Sequence, residues 1–374
     1  NGMAHFLEHL VFKGGERFPD YRSVNETAER LGAVLNAYTS HDVVAFHLTC
    51  RAEVVDRAID LLTDFVGRPK IDADELDRER GVVVQEIARA NDQPSVVAEH
   101  LIDRAAFGDH PLGRPVLGPA EHIRTFSREA IVAFRERQWA GARGGAFLVG
   151  ALEHLPAEER LGECFGRFPN LQHNGGFEPA PPLEPRTLVE ERESNQSHLR
   201  MSYRPSLDTQ DPRARAALTV YSTLLGGSMG SRLFDEIREQ RGLAYSVYSV
   251  EHTFADVPIL QLSAGLDSTK AVEAYQRMRG IVSELRSDGP RPDEVERARA
   301  YAAGRLVLAF ENTNVVARHA AGQAVVRGEP IDPDAVIAQI DAVTYDEVAA
   351  VARTISDELV VACVGPHSAA DFAV

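Results

Sequence analysis

A stretch rich in proline, glycine and asparagine divides this chain of 374 residues into two halves of similar length. The stretch covers residues 169–186 and follows neither a helical nor a strand period, which is typical of a linker. A chain of this length is sufficient for two domains of ordinary size. We therefore predict an N-terminal domain over residues 1–168, a linker over residues 169–186 and a C-terminal domain over residues 187–374.

The predicted elements follow a similar order in the two halves. In the second half, a pair of strands and a helix precede a glycine loop at Gly226-Gly227, and a helix, two strands, long helices and a last strand follow it. In the first half, the same order begins only with the helix before Gly14-Gly15, so we expect this sequence to lack the opening strand pair of its first domain. The pattern predicts an α+β fold of two homologous domains, each a mainly antiparallel sheet covered by helices.

Two further elements complete this prediction. Residues 145–149 are predicted to form the last strand of the first half, because an apolar run follows Gly145. Residues 293–327 are predicted to form one long helical region in the second half.

The sequence His5-Phe6-Leu7-Glu8-His9 places two imidazoles four residues apart with a carboxylate beside the second. In a helix, the two histidines share one face, so both rings can bind a single cation with Glu8 nearby. Two histidines and one acid, with a position open to water, are typical of a catalytic zinc site. The order H-x-x-E-H is that of the inverzincins. Because the flanking residues predict a mostly apolar helix, in which ionisable groups need partners, we favour a metal site over a chance grouping.

A third protein ligand is expected to be a carboxylate, and the predicted helix over residues 73–91 contains several. They are Asp74, Glu75, Asp77, Glu79 and Glu86. Most acids of such a helix are solvated at the surface. Glu86 differs because valines and an isoleucine surround it, and Glu79 lies two helical turns earlier on the same face. The residues alone leave the choice of the third ligand open.

The second half contains no equivalent motif. When the glycine pairs of the two halves are aligned, Ala217, Val220 and Tyr221 stand at the positions of the two histidines and the glutamate. The sequence therefore predicts at most one metal ion per chain.

Composition restricts the partners and the compartment. The net charge of −16, from 56 acidic and 40 basic residues, argues against nucleic acid as a partner. No apolar run reaches the length of a membrane span and no signal peptide is visible, so we predict a cytoplasmic protein of bacterial type without membrane contact. Because the sequence begins at Asn1, we expect the natural N-terminus to be absent from it. The three cysteines are predicted to be reduced core residues, which fits this compartment.

The residues from Gly2 to His9, with Phe12-Lys13-Gly14, closely resemble the pitrilysin/insulinase-type zinc peptidases, especially their mitochondrial-processing-peptidase-like branch. The resemblance continues through His110-Pro111-Leu112-Gly113 in the first half. In the second half it covers Gly226 to Ser246, and it thus spans most of the chain.

The resemblance implies roles for residues outside the motif. It implies that Glu86 is the third metal ligand and that Glu79 supports the site from nearby. Arg238 and Tyr245, seven residues apart, match an Arg and a Tyr with which relatives contact the substrate. From the residues alone, the same pair also suits a surface ion pair and a packed strand residue. An edge strand that pairs with a bound peptide is implied at Asn36, Ala37, Tyr38 and Thr39.

These residues predict a zinc-dependent endopeptidase that hydrolyses peptides or unfolded protein segments, and the resemblance implies that it does so in an enclosed chamber. His5, His9 and Glu86 are expected to hold one Zn²⁺ per chain, and the same ligand set also accepts Mn²⁺ or Co²⁺. Glu8 is expected to act as general base and then as general acid. Tyr245 is expected to contribute to oxyanion stabilisation, with Arg238 helping to hold the peptide.

The resemblance also implies an assembly. Single-chain relatives contain four domains that close as two halves of a clamshell, and their zinc domain meets the Arg/Tyr domain of the other half. This chain has two domains but carries both motifs. We therefore expect a homodimer with sites shared between chains, and a heterodimer with a related subunit is the alternative.

Two other functions are compatible with the fold. One is a non-catalytic homologous subunit or scaffold of a heterodimeric peptidase or larger complex, although such homologues lose motif residues that are present here. The other is a protein with a purely structural zinc ion, which normally has four protein ligands rather than three.

Overall fold

The computed structural model describes residues 1–139, 144–153, 155–166, 168, 178–254 and 256–373. The chain forms two compact units, and neither is contiguous in sequence. The first unit consists of Asn1–Arg89, Pro115–Phe177 and Phe310–Ile331; the second consists of Ala90–Arg114, Glu178–Ala309 and Asp332–Val374. Ala90–Arg114, from the first half of the sequence, thus belongs to the second unit. Phe310–Ile331, from the second half, belongs to the first unit. Residues 169–177 of the predicted linker lie outside the described residues, and the linear domain division stays a prediction.

The helices and strands are numbered here in chain order. The helices are α1 (Met3–Val11), α2 (Tyr21–Arg30), α3 (Val55–Gly67), α4 (Ala73–Asn91), α5 (Pro94–Phe107), α6 (Ala120–Thr125), α7 (Arg128–Gln138), α8 (Ala157–Phe165), α9 (Pro212–Ser222), α10 (Ala271–Asp288), α11 (Pro292–Phe310), α12 (Thr313–Ala321), α13 (Pro333–Asp341) and α14 (Tyr345–Thr354). The strands are β1 (Val34–Thr39), β2 (Val44–Thr49), β3 (Arg186–Glu191), β4 (Gln196–Tyr203), β5 (Ala244–Phe254), β6 (Val257–Asp267) and β7 (Val360–Gly365). Three π-helical segments cover Thr223–Gly227, Phe234–Gln240 and Gly322–Arg327.

The first unit contains an antiparallel hairpin of β1 and β2, in which Val34 lies opposite Thr49 and Thr39 lies opposite Val44. The core of this unit is built around α1, where Phe6, Leu7, Leu10 and Val11 are fully buried against residues of α2, α3, α4, α6 and α7. Alternate residues of the hairpin, among them Leu35, pack against the same core. The hairpin is therefore held against α1 by one of its faces.

The second unit contains a five-stranded sheet in the order β3-β7-β4-β6-β5. All neighbouring strands are antiparallel except β3 and β7, which are parallel. One sheet face packs on α9, α10 and α14, and the other packs on α5. Burial on both faces explains why ten successive residues of β6, from Val257 to Leu266, are buried. These sheets and their covering helices agree with the predicted α+β class.

Two predicted elements are wrong. Residues 145–149 form no strand, because none of the described residues pairs with them and a strand needs hydrogen bonds to a neighbour. The long helix predicted over 293–327 ends at Phe310, and a new helix, α12, begins after Asn312. The Asn312 side chain accepts a hydrogen bond from the Asn314 backbone N–H at 2.9 Å, which caps α12. This break separates α11 of the second unit from α12 of the first.

Two remaining predictions concern membranes and thiols. No helix in the described part of the chain is long and apolar enough to cross a bilayer. Cys50, Cys164 and Cys363 are free thiols, and the last two are buried. Cys50 is only partly buried, so it is less enclosed than the predicted core position.

Candidate active site

Helix α1 presents His5 and His9 on one face, and the centroids of their rings lie 4.7 Å apart at an interplanar angle of 65°. The opposite side of the helix is anchored in the core by Phe6, Leu7 and other apolar residues. Gly2 is the residue immediately before α1, and its φ of +86° is readily adopted only by glycine. The two imidazoles are thus positioned by a helix that has little freedom to move within its unit.

Glu86 of α4 lies beside both rings. Its Oε2 atom is 3.7 Å from His5 Nε2 and 3.4 Å from His9 Nε2. One ligand atom from each of these three residues lies within 4.8 Å of the others, and no other such group of His, Cys, Asp or Glu occurs in the described residues. Two nitrogens and a carboxylate oxygen suit a zinc ion, so the donor set fits this metal. The Glu86 side chain is 42% exposed, which leaves one side of the cluster open.

Glu79 lies seven residues before Glu86 on α4 and is buried. Its Oε1 atom is 2.9 Å from His9 Nδ1, and its Oε2 atom is 2.5 Å from Lys13 Nζ. Burial would raise the pKa of Glu79, but the bonds to His9 and Lys13 lower it below its usual value. The carboxylate therefore accepts a hydrogen bond from the N–H of His9 Nδ1, which leaves His9 Nε2 directed toward Glu86.

The two histidines differ in their protonation. Burial and the charge of His9 lower the pKa of His5 to about 4, so His5 is the neutral imidazole that binds metals. Burial also acts to lower the pKa of His9, but its hydrogen bond to Glu79 and the surrounding carboxylates raise the pKa overall. A metal ion held by His5, His9 and Glu86 would replace any proton on His9 Nε2.

Glu8 lies between the two histidines in the sequence. Its side chain is buried and faces strand β1. Thr39, the last residue of β1, donates a hydrogen bond from Oγ1 to Glu8 Oε2. Burial raises the pKa of Glu8; the bond from Thr39 and the charge of His9 oppose this rise, and Glu86 adds to it. Sequence reasoning placed Thr39 only among the peptide-pairing residues and missed its contact with Glu8. The contact joins residues 31 positions apart, and no local pattern indicates it.

The other predicted edge-strand residues lie in β1 as well. Asn36 is exposed and lies opposite His47 of β2, whereas Ala37 lies opposite Phe46. Among the described residues, β1 pairs with β2 along one edge only. The other edge has backbone groups that a further strand can pair with.

Arg238 and Tyr245 lie in the second unit, whereas the three candidate ligands lie in the first. Tyr245 is 66% exposed and stands at a register shift of β5, between Ala244 and Ser246. The Arg238 guanidinium lies over the ring of Phe234, 4.8 Å from its centroid. Tyr245 is therefore not a core residue, although a Cβ atom at Gly265 would lie 2.8 Å from its ring, and its contact with substrate stays a prediction.

Two family models match the chain. Residues 1–120 match the insulinase model of peptidase family M16, and residues 125–301 match the model described as the peptidase M16 inactive domain. An uncharacterized zinc protease of Streptomyces coelicolor is 31% identical over 362 residues, which cover 95% of this chain and 78% of that protein. The chain belongs to the insulinase (M16) peptidase family.

Other M16 similarities extend over nearly the whole chain. An uncharacterized zinc protease of Mycobacterium tuberculosis (strain H37Rv) is 32% identical over 379 residues, covering 98% of this chain and 84% of that protein. The crystal structure titled peptidase M16 inactive domain, from Pseudomonas fluorescens, has a TM-score of 0.89 at 22% identity and covers 98% of this chain and 89% of that one. A protease from Helicobacter pylori has a TM-score of 0.85 at 19% identity, covering 98% and 89%. These findings confirm the predicted family and fold.

The M16 models divide the candidate residues between them. The histidines, Glu8, Glu79, Glu86 and β1 fall within the insulinase match, and Arg238 and Tyr245 fall within the inactive-domain match. The residues aligned with the motif in the second half, Ala217, Val220 and Tyr221, lie on α9 and are buried in the core of the second unit. A cavity of about 590 Å³ in the second unit, lined by Arg104, Phe107, His110 and the segment from Glu178 to Arg186, contains none of the predicted site residues.

Proposed function

We propose that this M16 family member is a zinc-dependent endopeptidase that hydrolyses peptides or unfolded protein segments. The proposal is supported above all by the convergence of His5, His9 and Glu86, whose ligand atoms lie within 4.8 Å of one another. The partial exposure of Glu86 supports a substrate-accessible site rather than a sealed structural one. The description of relatives as zinc proteases agrees with this choice of metal.

His5, His9 and Glu86 would hold one Zn²⁺, which when bound supplies Lewis-acid polarisation of a carbonyl and a water of lowered pKa. Glu79 supports this arrangement because it accepts a hydrogen bond from His9 Nδ1 and so fixes the orientation of the ring. Lys13 balances the charge of Glu79 from the other side.

Glu8 is the proposed general base. It accepts a proton from the attacking water and then delivers the proton to the leaving amine. Its burial raises its pKa, which makes the carboxylate a better proton acceptor than an exposed glutamate. The hydroxyl of Thr39 holds one oxygen of Glu8, so the other oxygen is available for proton transfer.

The substrate is proposed to bind as an extended strand along the open edge of β1. Backbone pairing of this kind selects an extended conformation more than a particular sequence, which suits unfolded segments. Because Thr39 ends β1 and contacts Glu8, a peptide paired with residues 36–39 runs directly past the proposed base. Arg238 and Tyr245 are proposed to contact the same substrate from the second copy of a homodimer.

Metal analysis combined with cleavage of a quenched fluorescent peptide tests the function. We expect about one zinc ion per chain in both the wild-type protein and Glu8→Gln, and turnover only in the wild type. Zinc without turnover in the wild type would indicate a structural ion. Neither zinc nor turnover would indicate a non-catalytic subunit.

A further inference from the structure

We propose that Arg318 forms a subsite for an acidic side chain of the bound peptide, on the face of β1 that is opposite to Glu8. This inference rests on the proposed function, because it takes β1 as the strand that pairs with substrate. It adds a substrate preference that neither the motif nor the edge strand by itself predicts.

The hairpin has two chemically different faces. Leu35, Phe46 and Leu48 pack on the core, and the side chain of Thr39 on the same face contacts Glu8. Successive side chains of a strand point to opposite faces, so Asn36 and Tyr38 lie on the other face. Directly opposite residues of an antiparallel pair share a face. His47 lies opposite Asn36, so its side chain lies on the same face as those of Asn36 and Tyr38.

Arg318 covers this second face. It lies in α12, which comes from the second half of the sequence but belongs to the first unit. Its guanidinium carbon lies 4.5 Å from the centroid of the Tyr38 ring, at the distance of a cation–π contact. The Tyr38 and His47 rings are themselves 6.4 Å apart, so the three side chains form one continuous surface.

The charge of Arg318 is not neutralised within the described part of the chain, where no carboxylate forms an ion pair with it. The Arg318 side chain is exposed. Burial and the charge of Arg318 lower the pKa of His47, so the neighbouring ring is neutral and the guanidinium is the cation of this surface. Aromatic stacking restricts the guanidinium and reduces the entropy lost when it binds a carboxylate.

A peptide strand added to the open edge of β1 sends alternate side chains onto this face, next to Tyr38. Side chains of directly opposite residues have Cβ atoms about 4.5–5.5 Å apart. An aspartate or glutamate at that position therefore comes within reach of the Arg318 guanidinium, which binds carboxylates through two parallel hydrogen bonds. The net charge of −16 repels acidic peptides at long range, so such a preference requires a local cation like Arg318.

The test uses peptide binding to full-length zinc-loaded Glu8→Gln protein, which does not require turnover. Fluorescent peptides that differ only by Asp, Asn or Lys at one position, moved along the peptide, are titrated by anisotropy. We expect Asp to bind about fivefold more tightly than Asn at one position. This ratio should fall to about one in Arg318→Gln, and Arg318→Glu should favour Lys instead.

Arg57→Gln provides the matched control, because Arg57 is an exposed helical arginine of the same unit, on α3. It should leave the Asp/Asn ratio unchanged. The inference is overturned if no position distinguishes Asp from Asn, or if Arg318→Gln weakens all peptides equally, as expected for a residue that only packs α12 on the hairpin. Cleavage by the protein with wild-type Glu8 is measured in parallel. Cleavage without an Asp preference refutes the subsite alone, whereas an Asp preference without cleavage refutes the peptidase proposal alone.

Discussion

The hydroxyl of Thr39 donates a hydrogen bond to the carboxylate of Glu8, and this bond connects the end of strand β1 to the motif helix α1. The proposed substrate strand and the proposed base are therefore held together by one side chain. A change at Thr39 should affect the orientation of Glu8 before it affects peptide binding.

Thr39→Val removes this hydrogen bond while preserving the size and branching of the side chain. We expect kcat for peptide hydrolysis to fall about tenfold with little change in KM, because the proton acceptor is no longer held in position. Thr39→Ser should restore most of kcat, since it restores the hydroxyl. Steady-state kinetics of the three proteins at equal zinc content measure this.

Thr49→Val is the control, because Thr49 ends β2 and is exposed. Its kinetics should match those of the wild type. An equal loss of kcat in Thr39→Ser and Thr39→Val would show that the hydroxyl does not position Glu8.

Glu79→Gln should weaken zinc binding about 10- to 100-fold, because the anionic acceptor for His9 Nδ1 is lost. Competition with a chromophoric chelator measures the affinity. Asp77→Asn on the same helix is the matched control: the Asp77 side chain is 80% exposed, and its ion pair with Arg80 lies away from both histidines. Similar zinc affinities for the two variants would rule out the proposed support of His9 by Glu79.

Mixing two inactive variants tests whether sites are shared between chains. Glu8→Gln and Tyr245→Phe should each be nearly inactive alone, because each homodimer lacks one residue at both sites. In a mixed dimer, one of the two shared sites is wholly wild type, so an equimolar mixture should recover about a quarter of the wild-type turnover after subunit exchange. A mixture that stays inactive, although native mass spectrometry detects the mixed dimer, would exclude shared sites.

Gly118→Ala should destabilise the first unit by about 1–3 kcal/mol. Gly118 has a φ of +71°, and a Cβ atom there would lie 2.6 Å from the Cα atom of Gly2, the residue immediately before α1. Gly81→Ala is the opposite case, since Gly81 lies within α4 and a Cβ atom there meets nothing within 4 Å. That substitution should stabilise the protein by up to about 1 kcal/mol. Thermal unfolding of both variants measures the difference, and equal melting temperatures would contradict the close packing at Gly2.

Asp103 of α5 should make the second unit less stable at high pH. Burial, with the charge of Glu99, raises the pKa of Asp103 to about 7 in the folded protein, against about 3.9 in the unfolded chain. Between these values the folded state binds more protons, so the free energy of unfolding falls as pH rises through this range and levels off above about 7. Below about pH 4 Asp103 no longer destabilises the folded state, because its carboxyl is protonated in both the folded and the unfolded protein.

Asp103→Asn removes this ionisation. We expect the substitution to raise the melting temperature more at about pH 8 than at about pH 5. The stabilisation should differ by about 2 kcal/mol between the two pH values, which allows for the partial contact of this carboxyl with solvent. Differential scanning fluorimetry across this range measures the effect. A pH-independent difference between the two proteins would disprove the raised pKa.

Local patterns were sufficient to predict the elements of the site. The spacing of His5 and His9 requires them to share a helix face, because the helical period depends only on backbone geometry. The same reasoning failed over residues 293–327, where helix-forming residues on both sides of Asn312 conceal a break that a single side-chain cap produces.

The sequence by itself therefore determined the motif helix, the family and the acidic residues available on α4. Only the tertiary structure decided that Glu86 approaches both imidazoles, that Thr39 binds Glu8, and that Arg318 reaches Tyr38. These contacts join residues that are tens to hundreds of positions apart and depend on how whole elements pack on the core. No repeat of 2 or 3.6 residues contains that information, because periodicity describes how one element faces the core and not which other element it meets there.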